Sequence, residues 1–227
     1  MRPDHAVARD AGVITSPRLT LRPWTVDDAE AALAVYGADD VARWLSPAMD
    51  RVPDAAAMRA LLARWLGEDL ELPQGRWAVT LTGTGDVVGG VAVLPLPPHG
   101  EDLEVAWQLA PEAWGHGYAA EAGHAVAHHA FTYGVDEVFA VVRTQNGRGA
   151  ATAERVGMEW VGETEKYYDL RLQVYRLRKG ELDVATAQRV GMEWVGETEK
   201  YYDLRLQVYR LRKGEIDAPR PVPAKRS

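Results

Sequence analysis

Polar and apolar residues in this chain fall into short alternating runs separated by helical patterns. Residues 18–23 (RLTLRP) alternate as a strand, and residues 25–36 follow as an amphipathic helix with Thr25 as its N-cap. Asp54 caps a second helix that the pattern extends to Leu70. Residues 77–81 and 87–94 flank a Thr-Gly-Thr-Gly-Asp turn and predict a hairpin. From Leu103 to Leu109 the alternation puts Leu103, Val105, Trp107 and Leu109 on one face, and Glu104, Ala106 and Gln108 on the other. Residues 118–133 predict a helix with Ala119, Ala122, Val126, Ala130 and Tyr133 in one stripe. A buried strand over 137–143, a short helix over 148–156 stopped by Gly157, and strands over 158–165 and 170–177 complete the series. The order predicts an α/β (α+β) fold: a mixed, mostly antiparallel central sheet flanked by helices, with one strand–helix–strand crossover.

The last helix and strand pair is written twice. Residues 151–184 recur as 185–218 at a period of 34, and only Glu154/Gln188, Leu182/Ile216 and Val184/Ala218 differ. A solenoid needs about three or more such units to bury a continuous core, so two copies predict a tandem duplication instead. The fold has room for one set. Residues 15–184 are therefore expected to form one domain, and 185–218 an appendage docked on a sheet edge or swapped onto a second subunit; the alternative is that the second copy takes that place and the first is looped out. Residues 1–14 and the proline-rich, basic 219–227 are expected to be flexible tails.

Composition narrows the function. A 227-residue chain with 47% hydrophobic and 26% charged residues buries one good core, and its formal charge of -7 disfavours nucleic acid while favouring cationic substrates. Cysteine is absent, which removes thiolate nucleophiles and cysteine-ligated metals. The longest apolar stretch, residues 87–94, is far short of the roughly 20 needed to span a bilayer, and a cytoplasmic location with no membrane partner is expected.

The chemistry centres on Trp114-Gly115-His116-Gly117-Tyr118-Ala119, between a strand and a helix. Free backbone N–H groups and the positive end of the helix dipole converge there on one anionic spot, and Gly115 and Gly117 leave the backbone open to a pyrophosphate. Gly115, Gly117 and Ala120 also satisfy the dinucleotide pattern, with Asp136 and Glu137 about 20 residues on. Those acids stand where the next strand begins rather than at its carboxyl end, which disfavours a dinucleotide.

Residues 105–122 (VAWQLAPEAWGHGYAAEA) resemble the coenzyme-A-binding motif of GNAT acetyltransferases, in the branch of the ribosomal-protein N-terminal acetyltransferases of RimJ/RimL type. Asn146, eleven residues before Gly157-Met158, matches that branch too, and the resemblance spans residues 16–180. It implies a GNAT-like fold and acetyl-CoA as co-substrate, cradled by Trp114, Gly115, His116, Gly117, Tyr118 and Ala119. Pantetheine would pair with a splayed strand near Leu109, and Asn146 would touch the cofactor. The chain departs from relatives in three places. Trp114 stands where a glutamine or arginine is common, Gly149 replaces a small hydroxyl residue, and no tyrosine lies on residues 148–156 as general acid.

Transfer to an amine requires that the amine lose its proton and that the oxyanion meet a donor. Glu104 is the candidate base, on the strand leading to the loop, with a solvated strand carboxylate as the alternative. A backbone N–H near Leu109 is the candidate oxyanion donor. Tyr167 or Tyr168 are candidates for the missing acid, without local support. His124 and His128 lie one helical turn apart with Glu121, but they lack the H-E-x-x-H pattern and read as a solvated face with no metal. Trp44 and Trp65 are candidates for the acceptor pocket. The expected acceptor is a protein N-terminus or a small cationic amine, with a homodimer through the C-terminal repeat as a further expectation. A non-catalytic acyl-CoA-binding module is the competing function.

Overall fold

The computed structural model describes residues 12–45 and 49–181, together with the backbone strands 193–198 and 206–210. The expected tail 219–227 and most of the expected tail 1–14 lie outside the described residues. The Gly12 carbonyl accepts the Trp77 indole N–H at 3.0 Å, and Ile14 opens the first strand.

Residues 12–179 belong to one compact unit. Its elements in chain order are β1 (Ile14–Thr15), β2 (Leu19–Pro23), α1 (Ala29–Tyr36), α2 (Asp39–Ala42), α3 (Ala55–Leu66), β3 (Gly75–Leu81), β4 (Val87–Pro95) and β5 (Leu103–Leu109). They continue with α4 (Tyr118–Thr132), β6 (Glu137–Arg143), α5 (Gly147–Val156), β7 (Glu159–Thr164) and β8 (Leu172–Arg178). The eight strands form one sheet in the order β1-β2-β3-β4-β5-β6-β8-β7. Every neighbouring pair is antiparallel except β5 and β6, which the α4 crossover joins in parallel. The expected mixed, mostly antiparallel sheet with one crossover is the observed one.

Local chemistry sets the helix ends. Asp54 accepts the Ala57 N–H at 2.8 Å and starts α3 in an alanine-rich stretch, and Gly67 ends it four residues earlier than the pattern suggested. The helix expected from Thr25 begins as a 3-10 turn, Val26–Asp28, because Asp28 bonds back to the Thr25 backbone N–H at 2.8 Å before α1 proper starts at Ala29. Asn146 caps α5 through the Gly149 N–H at 3.0 Å, and Gly157, at φ 105, ends it. α2 and β1, with four and two residues, carry too little periodicity to be read from sequence.

The sheet is covered on both faces. α4 packs on β4 and β5, and its Gly123 leaves room for the Trp107 ring and Val156: a Cβ there would stand 2.9 Å from Val156 Cγ2. On the other face α1 and α3 bury Ala32, Val35, Tyr36, Met58 and Leu62 against Trp24 and Ala78. Alternation along β5 thus splits as expected, with Val105 and Trp107 toward α4 and Gln108 toward Tyr36 of α1.

Residues 180–227 form a second unit, in which β9 (Glu193–Thr198) and β10 (Leu206–Arg210) make a two-stranded antiparallel sheet. Its register runs Glu193↔Arg210 to Thr198↔Leu206, with an irregularity beside Val208. The first copy pairs Glu159↔Arg176 to Thr164↔Leu172 with its irregularity at the corresponding place. The same sequence thus gives the same hairpin twice.

Candidate active site

β5 and β6 share a single ladder pair, Glu104↔Phe139, near their amino ends. Past that pair the two strands no longer bond each other, so the sheet opens toward the carboxyl end of β5, where the glycine loop begins. A ligand backbone entering this opening meets strand groups that have lost their partner.

The loop fits an anion. Gly115 and Gly117 take φ of 83 and 79, a left-handed conformation that excludes other residues except at a cost. Gly117 is the N-cap of the 15-residue α4 and has no side chain to bond the first turn. The first loop-to-helix bond is Glu121 N–H to the Gly117 carbonyl at 3.1 Å, which leaves the earlier N–H groups, from Gly115 through Ala119, for a ligand.

Arg18 of the segment leading into β2 braces this loop from behind. Its guanidinium donates to the His116 carbonyl at 3.0 Å and to Glu121 Oε2 at 2.7 Å, and it lies 4.9 Å from the Tyr118 ring centre. Glu121 also accepts the Arg18 N–H at 2.9 Å and the Ser16 hydroxyl at 2.8 Å. This carboxylate, grouped with His124 and His128 by spacing alone, is therefore a bracket for the loop. His116 and Tyr118 stack at 5.4 Å.

Trp114 turns inward: its indole N–H donates to the Leu109 carbonyl at 2.9 Å, so that strand-end acceptor is already in use. The Arg148 guanidinium stacks 4.3 Å from its ring centre. A cation thus stands at the loop position where the sequence lacks a polar side chain. Asn146, placed at the head of α5, uses Oδ1 to cap the helix.

Glu104 is half-buried on the α1 face of β5. Burial pushes its carboxyl up to about 7, against a hydrogen bond from the Tyr168 hydroxyl at 3.0 Å and the charge of Arg76. It is no freely solvated strand carboxylate. At the other end of the same face the Tyr36 hydroxyl donates to Gln108 Oε1 at 3.3 Å, and Tyr36 packs edge-on to Trp65 at 5.3 Å. Trp65 also carries Arg76 at 5.0 Å and belongs to the wall under α1 and α3. Trp44 lies beside Arg43 instead, outside that cluster. Tyr167 donates to Asp102 rather than toward the loop, at 2.6 Å. Sequence reasoning missed Arg18 and Arg148 and offered Tyr168 as an acid rather than as a partner of Glu104, because each meets its partner far along the chain.

The chain matches the acetyltransferase (GNAT) domain family over residues 18–159. It is 26% identical over 157 residues to the uncharacterized N-acetyltransferase YoaA of Bacillus subtilis (strain 168), covering 68% of this chain and 87% of that protein. An acetyltransferase from Agrobacterium tumefaciens str. C58 superposes with a TM-score of 0.60 at 25% identity, over 74% of this chain and 95% of that one. Mycobacterium smegmatis RimJ in complex with CoA-disulfide superposes with a TM-score of 0.65 at 21% identity, over 79% of this chain and 91% of that one, and shares the fold. With the matched domain running from Arg18 through the loop to the start of β7, more than half of its length, the chain belongs to the GNAT acetyltransferase family.

Proposed function

We propose that this acetyltransferase moves the acetyl group of acetyl-CoA to a primary amine, a protein N-terminus or a small cationic amine, with Glu104 as the base. The observation that carries the reading is a half-buried carboxyl poised at about 7, on the strand that leads into the anion-binding loop. A base titrating near neutral pH accepts a proton from an ammonium group without being permanently protonated. GNAT acetyltransferases use acetyl-CoA, and the loop from Trp114 to Ala119 offers its pyrophosphate backbone donors with Arg148 alongside.

The acceptor ammonium gives one proton to Glu104, and its nitrogen attacks the thioester carbonyl carbon. The new C–N bond forms, the C–S bond breaks, and the thiolate leaves with the electron pair. The second nitrogen proton goes to that thiolate or to solvent. A backbone N–H near Leu109 is the proposed oxyanion donor, and Asn146 is proposed to touch the cofactor from the head of α5. The acidic net charge favours cationic acceptors, and the fold shared with RimJ favours the RimJ/RimL branch. We further assign residues 15–184 to the acetyltransferase domain and 185–218 to an appended copy, through which two chains would associate.

The test is thiol release from acetyl-CoA over N-terminal peptides, spermidine and kanamycin. kcat/KM is expected to rise with pH through about 7, as Glu104 loses its proton. Glu104→Gln is expected to remove that rise and lower kcat by about 10²–10⁴-fold. Tight acetyl-CoA binding with no turnover on any amine, and no effect of Glu104→Gln, would assign the chain to a non-catalytic acyl-CoA-binding module instead.

A further inference from the structure

Three consecutive residues of the β7–β8 connection reach back to two carboxylates at the head of β5. Lys166 Nζ and the Tyr167 hydroxyl donate to Asp102 Oδ2 at 2.7 and 2.6 Å, and the Tyr168 hydroxyl donates to Glu104 Oε2 at 3.0 Å. Tyr167 is buried with Leu96, Leu172 and Val174, so apolar packing and the Asp102 clamp fix the same turn. Tyr168 and Asp169 then take φ of 57 and 52. A tyrosine rarely adopts this left-handed backbone, and it persists only where the surroundings impose it. Here the imposed conformation delivers one hydroxyl to one half-buried carboxylate.

We propose that Tyr168 is a positioning residue for acetyl transfer: by donating to Oε2 it holds the Glu104 carboxylate and leaves Oε1 to take the proton of the acceptor ammonium. The inference rests on Glu104 being the base. Tyr168 keeps its own proton throughout, and the transferred one passes from the acceptor nitrogen to Oε1. The connection between β7 and β8 thereby becomes part of the catalytic apparatus, although it lies more than sixty residues from Glu104 in sequence.

Among the described residues, two polar groups act on Glu104. Tyr168 faces it from the β7–β8 connection, and Arg76 acts on it from β3. The Asp102, Lys166 and Tyr167 cluster stands two positions upstream, and Tyr36 of α1 engages Gln108 four positions downstream. Both Tyr168 and Arg76 favour the ionised carboxylate against burial. Loss of the Tyr168 hydroxyl therefore moves the titration of Glu104 further up.

Tyr202 repeats Tyr168 in the second copy, so the experiment uses a Tyr202→Phe chain in which Tyr168 carries the one relevant hydroxyl. Tyr168→Phe in that background keeps the ring and removes only the donor. Its kcat with the best acceptor of the amine panel is expected to fall about tenfold, with KM for acetyl-CoA within about twofold. The Glu104 titration, followed by carboxyl ¹³C NMR and assigned with Glu104→Gln, is expected to move up by about one pH unit. A merely structural role would move neither the kcat against KM split nor the midpoint. If either change is missing while Glu104→Gln loses turnover, the positioning role falls and the base stands. If Glu104→Gln keeps wild-type turnover, the base falls and the positioning role falls with it.

Discussion

Glu104 and Glu121 sit on consecutive elements around the loop, and their surroundings drive them in opposite directions. For both, burial is the largest influence and favours the neutral form. At Glu121 the bonds from the Arg18 N–H, Ser16 and the Arg18 guanidinium outweigh it and hold the carboxyl below its usual range. At Glu104 one tyrosine and a more distant arginine do not, and the carboxyl rises to about 7. The folded state thus disfavours the ionised form of Glu104, so stability falls as pH climbs from about 4.5 to about 7 and stays lowered above that. Glu104→Gln, which keeps an acceptor for Tyr168, removes the penalty. Thermal unfolding should show the variant about 1–3 kcal/mol more stable than wild type at pH 8, with the gap narrowing as pH falls and closing below about pH 4. A stabilised variant with lost activity is the signature of a carboxylate kept for chemistry. Glu104 was legible in the sequence because alternation along 103–109 puts it opposite the apolar face. Its environment was not, since Tyr168 arrives through a left-handed turn that no local pattern announces.

Among elements, α4 was the most legible, because a glycine loop followed by an apolar stripe fixes its start and most of its buried face: Ala122, Val126 and Ala130 are buried as expected, whereas Tyr133 lies just past the helix end and is half exposed. What holds the loop was invisible, because Arg18 acts across about a hundred residues. The bracket ties the start of β2 to the first turn of α4, so the orientation of the proposed anion-binding donors depends on the first strand pair of the sheet. Arg18→Ala frees the His116 carbonyl and leaves Glu121 with one backbone N–H and Ser16. KM for acetyl-CoA is expected to rise about 3–10-fold, with kcat nearly unchanged, since the role proposed for the loop is to bind and not to react. The arginine is half exposed and solvent screens the pair, so its stability contribution is about 1 kcal/mol. A lowered carboxyl contributes above its unfolded value and ceases to as pH falls through the folded one. The Tm gap between wild type and Arg18→Ala should therefore be present at pH 7 and shrink below about pH 4. Boundaries were less legible than elements: the second helix stops at Gly67 instead of Leu70, where a glycine outcompetes a continuing but weak apolar period.

At the scale of the molecule, the chain carries two hairpin sequences, identical from residue 159 to 178 and from 193 to 212, either of which has the strand sequence that pairs with β6. The duplication was fully legible, because identity is a property of the string. Which copy pairs with β6 was not, since both offer the same strand contacts. In the first unit β8 pairs along the whole of β6, Glu137↔Arg178 to Arg143↔Leu172. Chain connectivity supplies the preference. Exchanging copies roughly doubles the loop after β6, at ~0.6 kcal/mol, and puts Gly180 at the Asn146 cap position, at a few tenths more. It also puts Asp183 where Gly149 stands, and a Cβ there comes within 2.9 Å of Val142 Cγ1, an overpacking worth about 1–3 kcal/mol. These sum to about 2–4 kcal/mol, a preference for the first copy of about thirtyfold or more. The absence of cysteine makes the competition directly measurable. Val141 pairs with Val174, and Val208 is the counterpart of Val174 in the second copy. Paired residues of antiparallel strands lie within disulfide reach. Val141→Cys with Val174→Cys should oxidise within the chain at more than about ten times the yield of Val141→Cys with Val208→Cys, read on non-reducing gels and by peptide mapping. An equal yield would make the copies interchangeable, and a Val141–Val208 bridge found only between chains would make the second hairpin the element that joins two subunits.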